Sequence, residues 1–181
     1  MPSPLAHSAA AFGIYKVFRR YDSSGRSLFR IPLFFFWLLF FSLLPDIDAV
    51  LGVLSGNMYA YHNQASNSVF TALAASLFAG FIAFFFFKKK FQKWFFLCLL
   101  CYLMHIAMDF FTYGRGLMLF WPLTSRRFFP PFIIFYGLRW SKSVTSVAHL
   151  YTLLNETAVI LFVSMIWALI RFIRLRKPSS A

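Results

Sequence analysis

The sequence predicts an all-α, polytopic membrane bundle of four to five transmembrane segments, with a polar, metal-binding cluster at the outer membrane face. Three observations carry the prediction. Of the 181 residues, 60% are hydrophobic and 22% aromatic, with 27 Phe, against about 45–50% apolar residues in a soluble domain. The excess is gathered into long blocks rather than spread along the chain. The basic residues cluster between those blocks, as topology signals do. One integral domain over residues 1–181 suits this length.

The first apolar segment, residues 5–18 (LAHSAAAFGIYKVF), is about 21 Å long as a helix, against a hydrocarbon core of about 30 Å. It is read as a short or tilted helix, or a re-entrant one. No cleavable signal peptide is expected at its start, because the first basic residue is Lys16. Residues 28–44 form a second segment made almost entirely of Phe, Leu and Trp. The third covers residues 69–87 (VFTALAASLFAGFIAFFFF), the fourth residues 94–111 and the fifth residues 150–173. Between them lie two basic turns, a polar loop (45–68) and a long loop (112–149) rich in Pro and Gly, where irregular structure and an interfacial helix are expected.

Thirteen of the 18 basic residues fall on one side of this arrangement. They surround the turn at 19–27, form KKKFQK and follow the last segment. That side is assigned to the cytoplasm. Five spans then place the N-terminus outside and the C-terminus inside; if the first segment only dips into the bilayer, four spans remain and both ends lie inside. The protein is therefore expected in a cell inner membrane as a multi-pass protein with lipid as its surroundings. A pI near 10.3 would also suit nucleic-acid binding. The charges form no single patch, so no specific nucleic-acid partner is expected. Cys98 and Cys101 lie inside an apolar stretch, LCLLCYL, and read as small packing residues; two soft ligands would not complete a zinc site.

The chain has only five acidic residues, and two of them, Asp46 and Asp48, follow the second segment in LPDID. On the charge map, His62, His105, Asp109, His149 and Glu156 all collect with them at the outer face, as does His7 if the first segment spans. His105 and Asp109 are i and i+4, so they share a helix face. His149 and Glu156 are i and i+7, again one face. Pro45 disfavours helix at Leu44, so residues 46–48 are expected to be extended, with both carboxylates aimed the same way. Each residue also has an ordinary use: Asp46 after a proline suits a turn or helix cap, and a histidine near an interface needs no ligand. Their joint placement is what points to a divalent cation. Carboxylates are costly at membrane depth, and one or two divalent ions would neutralise them. Mixed Asp, Glu and His donors suit zinc, manganese or iron.

The order LPDID, YHNQASNS, HIAMDFFTYGRGLMLFWP resembles a family of small inner-membrane metal-dependent hydrolases, the LexA-binding, inner membrane-associated hydrolase family. The resemblance covers nearly the whole chain and extends to an early His, such as His7, and a Glu in the last helix, such as Glu156. The family pattern runs PDID, H-R-G-x-T-H-S, then S-H-x-x-x-D-x-x-T-x-x-G. His105, Asp109, Thr112 and Gly114 fall in register to within one residue, with Pro122 following. His62 matches the first His of the middle motif and Ser68 its final Ser, while Asn67 stands where the family has a second His. An amide oxygen binds metal more weakly than imidazole, so that departure bears on one of two metal positions or on catalysis itself.

The resemblance implies hydrolysis at a metal site, by analogy with zinc phospholipase C-like enzymes. The expected ligands are Asp46, Asp48, His62, His105 and Asp109, with His7 and Asn67 as further candidates. Glu156 or His149 would serve as another ligand or as general base. Arg126 and Arg127, in the outer loop, would bind an anionic, lipid-like substrate or anchor headgroups. Two other classes stay open: a non-catalytic regulator or scaffold with a partly degenerate metal site, which Asn67 favours, and an ion or proton transporter. Against transport, the third segment has no ionisable residue before its closing lysines.

Overall fold

Helices form at each of the five apolar segments. The computed structural model describes residues 1–18, 30–56, 64–139 and 145–176. In chain order the α-helices are α1 (Pro4–Phe18), α2 (Arg30–Leu43), α3 (Ile47–Leu54), α4 (Val69–Phe85), α5 (Phe91–Phe110) and α6 (Val147–Arg176). Short 3-10 turns cover Leu44–Asp46 and Ala65–Asn67. Among the described residues no strand forms; two isolated bridges, Thr112 with Phe135 and Leu117 with Phe128, organise the 112–139 loop. That loop is irregular as expected, and no interfacial helix occurs within its described residues.

Aromatic and polar contacts give the register of the bundle. α1 runs antiparallel to α2: Tyr15 meets Phe34 and Phe35 at one end, and the Ser42 hydroxyl donates to the His7 carbonyl at the other, 2.9 Å away. α2 and α5 run parallel. Trp94 packs on Phe34 and Trp37, the Trp37 indole N–H donates to Cys98 Sγ at 3.3 Å, and His105 lies beside Ser42. Both cysteines are free and fully buried, in keeping with a packing role.

α4 and α5 form an antiparallel hairpin. Ser68 caps α4 by accepting the Thr71 N–H at 3.1 Å. Lys88, at φ 51°, lets the Lys89 N–H reach back to the Ala83 carbonyl at 2.9 Å, a left-handed helix stop. The inner face of α4 is small: Ala72, Ser76, Ala79, Gly80 and Ala83 are its buried residues. A Cβ on Gly80 would lie 2.8 Å from the Phe91 ring, so the helices meet closely there. Its large side chains, Leu77, Phe78, Phe81 and Phe84 among them, point outward and are exposed. Small residues inside and large apolar ones outside is the pattern of a helix packed in lipid, where a water-soluble helix would bury the large ones.

α5 and residues Val147–Ile173 of α6 are long and apolar enough to cross a membrane, and Val69–Phe85 is a shorter apolar helix. α1, with 15 residues, spans about 22 Å. α6 is polar on its inner side only near its start. Beyond Glu156 nearly every large apolar residue to Ile173 is exposed.

One local expectation fails. Residues 46–48 are not extended: Pro45 sits at the start of a 3-10 turn, and α3 begins at once. Proline is tolerated in the first turn, where its missing N–H would have no partner. In helical geometry i and i+2 diverge, so Asp46 and Asp48 point to different places.

Candidate metal centre

Helix ends build the site. His7 lies in the second turn of α1, Asp46 directly after α2, and His105 and Asp109 in the last turns of α5. Because α1 is antiparallel to α2 and α5, these ends coincide.

The His7 and His105 rings stack with centroids 3.8 Å apart and planes 15° from parallel. Asp109 faces both: Oδ1 is 3.5 Å from His7 Nε2, and Oδ2 is 3.4 Å from His105 Nε2. Asp46 Oδ1 lies 3.4 Å from His105 Nε2 on another side. The side chains of His7, His105 and Asp109 are wholly buried, and Asp46 keeps 13% exposure. Asp46 is thus the one member of the group whose side chain keeps any exposure, and both of its oxygens are still buried.

Two features fit a cation. First, the spacings are long for hydrogen bonds, which run about 2.7–3.2 Å for N–H···O. Pair by pair they are near the edge of a tetrahedron around an ion with ligand bonds of about 2.0–2.2 Å, roughly 3.3–3.6 Å, while the three ligand atoms of His7, His105 and Asp109 as a set lie within 4.8 Å of one another. Second, Nε2 and Nδ1 of His7, Nε2 of His105 and both oxygens of Asp46 and Asp109 are buried without a hydrogen-bond partner among the described residues. Unsatisfied buried polar atoms are rare and need an explanation.

The second partner of His105 strengthens the case. Its Nδ1 lies 2.7 Å from the Ser42 carbonyl, which can only accept, so Nδ1 carries the proton. Nε2 then presents its lone pair to two carboxylates, and a proton or a metal ion must lie between them. Metal-bound histidines are usually held this way, through the second ring nitrogen on a backbone carbonyl. His7, His105 and Asp109 offer ligand atoms within 4.8 Å of one another, and can hold a metal ion.

The other expected site residues fall elsewhere. Asp48 accepts from the Ser66 hydroxyl at 2.5 Å and, more distantly, from the Gln64 N–H at 3.5 Å. Asn67 is fully buried on the 65–67 turn, which packs against the turn carrying Asp46. His62 lies outside the described residues. Glu156 is buried, but its carboxylate goes to Ser3: Oε1 accepts the Ser3 N–H at 2.6 Å, and Oε2 accepts the Ser3 hydroxyl. His149 is half-buried in the first turn of α6, outside the group formed by His7, His105 and Asp109.

Arg127 donates to the Gly116 carbonyl at 2.9 Å, bracing the loop across the Leu117–Phe128 bridge. Exposed Arg126 lies over the Phe128 ring, 5.9 Å from its centroid. The loop returns over the start of α1, where the Leu138 N–H donates to the Met1 carbonyl at 2.8 Å. Ser42 and Ser3 carry parts of this arrangement that sequence reasoning missed. Ser42 acts through its backbone carbonyl, and Ser3 meets a partner 153 positions away; neither leaves a local signal.

The class of protein is thus an all-helical one with two helices long and apolar enough to cross a membrane and a buried His–His–Asp group able to hold a metal ion. The chain belongs to the YdjM inner membrane protein family, whose model matches residues 1–178. This bears out the resemblance drawn from the motifs. Neither the curated proteins nor the solved structures contain a significant match.

Proposed function

We propose that this protein is a membrane-embedded, metal-dependent hydrolase acting on a phosphoester or lipid-type substrate at the outer membrane face. The carrying observation is the set of 3.4–3.5 Å spacings among His7, His105, Asp109 and Asp46, formed by buried atoms without hydrogen-bond partners. His7, His105 and Asp109 would hold the ion, with Asp46 completing the set on its more open side. Zinc suits two imidazoles and carboxylates best; manganese or iron also fit the donors. The chemistry a bound ion supplies is Lewis acidity: a more acidic water and a polarised ester oxygen.

The chain's own residues supply access and charge. Asp46, with 13% side-chain exposure, is the least buried member of the group. The loop that starts three residues after Asp109 carries Arg115, Arg126, Arg127 and Arg139 and no acid, together with exposed Trp121, Phe129, Phe132 and Tyr136. Aromatics and arginines together suit a membrane–water interface with anionic headgroups. An inner-membrane, multi-pass arrangement with this face outward follows from the basic clusters at the opposite helix ends.

The test uses the full chain purified in detergent. Metal is quantified by mass spectrometry, and hydrolysis of a fluorogenic phospholipid is followed with and without EDTA. Bound metal, with hydrolysis lost in EDTA and in Asp109→Ala, is the expected result. Metal below about 0.2 per chain, on the rule that a site must show its ligand stoichiometry, sinks the reading. Asn67 favours a second reading, a non-catalytic regulator or scaffold with a partly degenerate site. Bound metal without hydrolysis, and hydrolysis gained in Asn67→His, would select it.

A further inference from the structure

We propose that Glu156 is a positioning residue: by holding Ser3 it sets the start of α1, and thereby the place of the His7 ring in the metal group. This rests on the reading that the His7–His105–Asp109 group holds a metal.

Glu156 is the tenth residue of α6 and is only 2% exposed. Both its oxygens are engaged by Ser3, one by the N–H and one by the hydroxyl. Ser3 immediately precedes α1, where first-turn N–H groups lack helical partners and a carboxylate complements the helix dipole. The Ser3 carbonyl in turn accepts from the N–H of Ala6 at 3.0 Å and of His7 at 3.4 Å. Two hydrogen bonds therefore separate the Glu156 carboxylate from the His7 backbone. The His7 ring has no hydrogen bond of its own among the described residues. Its polar surroundings are the stack on His105 and the 3.5 Å approach to Asp109, so the position of the helix start helps to set where Nε2 lies. Ligand placement must hold to about 0.5 Å for a productive site.

The neighbours of Glu156 on the same helical face make this a clamp. Thr152 donates to the Gly137 carbonyl at 2.8 Å. Asn155 accepts from the Tyr136 N–H and donates to the Ile134 carbonyl, both at 3.1 Å. Positions 152, 155 and 156 lie at i, i+3 and i+4, one face of a helix. They tie α6 to the loop over α1 and, through Ser3, to α1 itself. Both oxygens of Glu156 are engaged by Ser3, and Glu156 lies outside the His7–His105–Asp109 group, which suits a positioning role.

The test is cobalt binding by the full chain in detergent, read by titration and by the visible absorption of the bound ion. Glu156→Ala should weaken cobalt binding about 10- to 100-fold, the size of effect seen for groups that orient ligands. Glu156→Gln should stay within about threefold, because its amide oxygen still accepts from the Ser3 N–H. Both should show the wild-type cobalt spectrum at saturation. A changed spectrum with Glu156→Gln as damaging as Glu156→Ala would make Glu156 a ligand and overturn the proposal. So would Glu156→Ala binding within threefold of wild type.

A second measurement needs no metal. In EDTA, Ser3→Ala should lower the melting temperature of the wild type but add little to Glu156→Ala; additive losses would overturn the strut itself. If the wild type takes up no cobalt, the metal reading falls and ligand positioning with it, while the EDTA cycle shows whether the strut stands.

Discussion

Asp109→Asn is the sharpest perturbation of the site, because it keeps the shape of the side chain and removes one charge. Asp109 is the hub: its two oxygens face two histidines at 3.5 and 3.4 Å, with no exposure on any of the three side chains. At an effective dielectric of about 20, a unit charge facing another at 4 Å contributes about 4 kcal/mol. The amide oxygen still coordinates weakly, so about 3–4 kcal/mol of ion binding should be lost. At about 1.4 kcal/mol per decade, that is a 10²- to 10³-fold rise in Kd. Cobalt titration of the purified chain reads it directly, and circular dichroism checks that helix content is unchanged. Binding within threefold of wild type in a folded Asp109→Asn protein would refute the assignment of Asp109 as a ligand. It would leave the long spacings around His105 to be explained by a proton.

Three further outcomes follow from contacts around the site. Asp48→Asn should leave cobalt affinity within about threefold, since Asp48 serves Ser66 and Gln64, and should lower stability by about 1.5–3 kcal/mol, the worth of a hydrogen bond to a charged group, in thermal unfolding. Gly137→Ala should cost about 2–3 kcal/mol, because φ is 71° and the new Cβ would meet Thr112 Cγ2 at 2.5 Å and the Met1 carbonyl at 3.0 Å; the left-handed conformation alone costs about 1–2 kcal/mol, and melting temperature checks it. Ser42→Ala removes the donor to the His7 carbonyl while leaving the carbonyl that holds His105, so a loss of about 1 kcal/mol should come with only a few-fold loss of cobalt affinity.

Much of this arrangement is legible before any coordinates. Composition alone marks α4 and α5, with ends at residues 85 and 91 where the lysine turn falls. His105 and Asp109 share a face because 3.6-residue periodicity demands it. Only topology and resemblance point to His7, and its stack on His105 joins segments whose meeting no local rule specifies. Asp46 and Asp48 show the limit from the other side. Pro45 is compatible both with an extended strand and with the first turn of a helix, and the chain takes the second, with the 44–46 turn packed against the 65–67 turn. Glu156 falls in the last helix as expected, but its partner Ser3 precedes the first apolar segment, where pattern reading sees nothing.

The order of the ligands along the chain has a consequence for how the molecule is made. His7 and Asp46 arrive with the first two helices, and the groups that face them, His105 and Asp109, arrive only with α5. Until α5 is made, the His7 imidazole and the Asp46 carboxylate lack the groups that face them, and burying either one alone is costly. Closing the group, together with the packing of Trp94 and Cys98 on α2, thus joins the first third of the chain to the middle, and it cannot be completed before α5 is made.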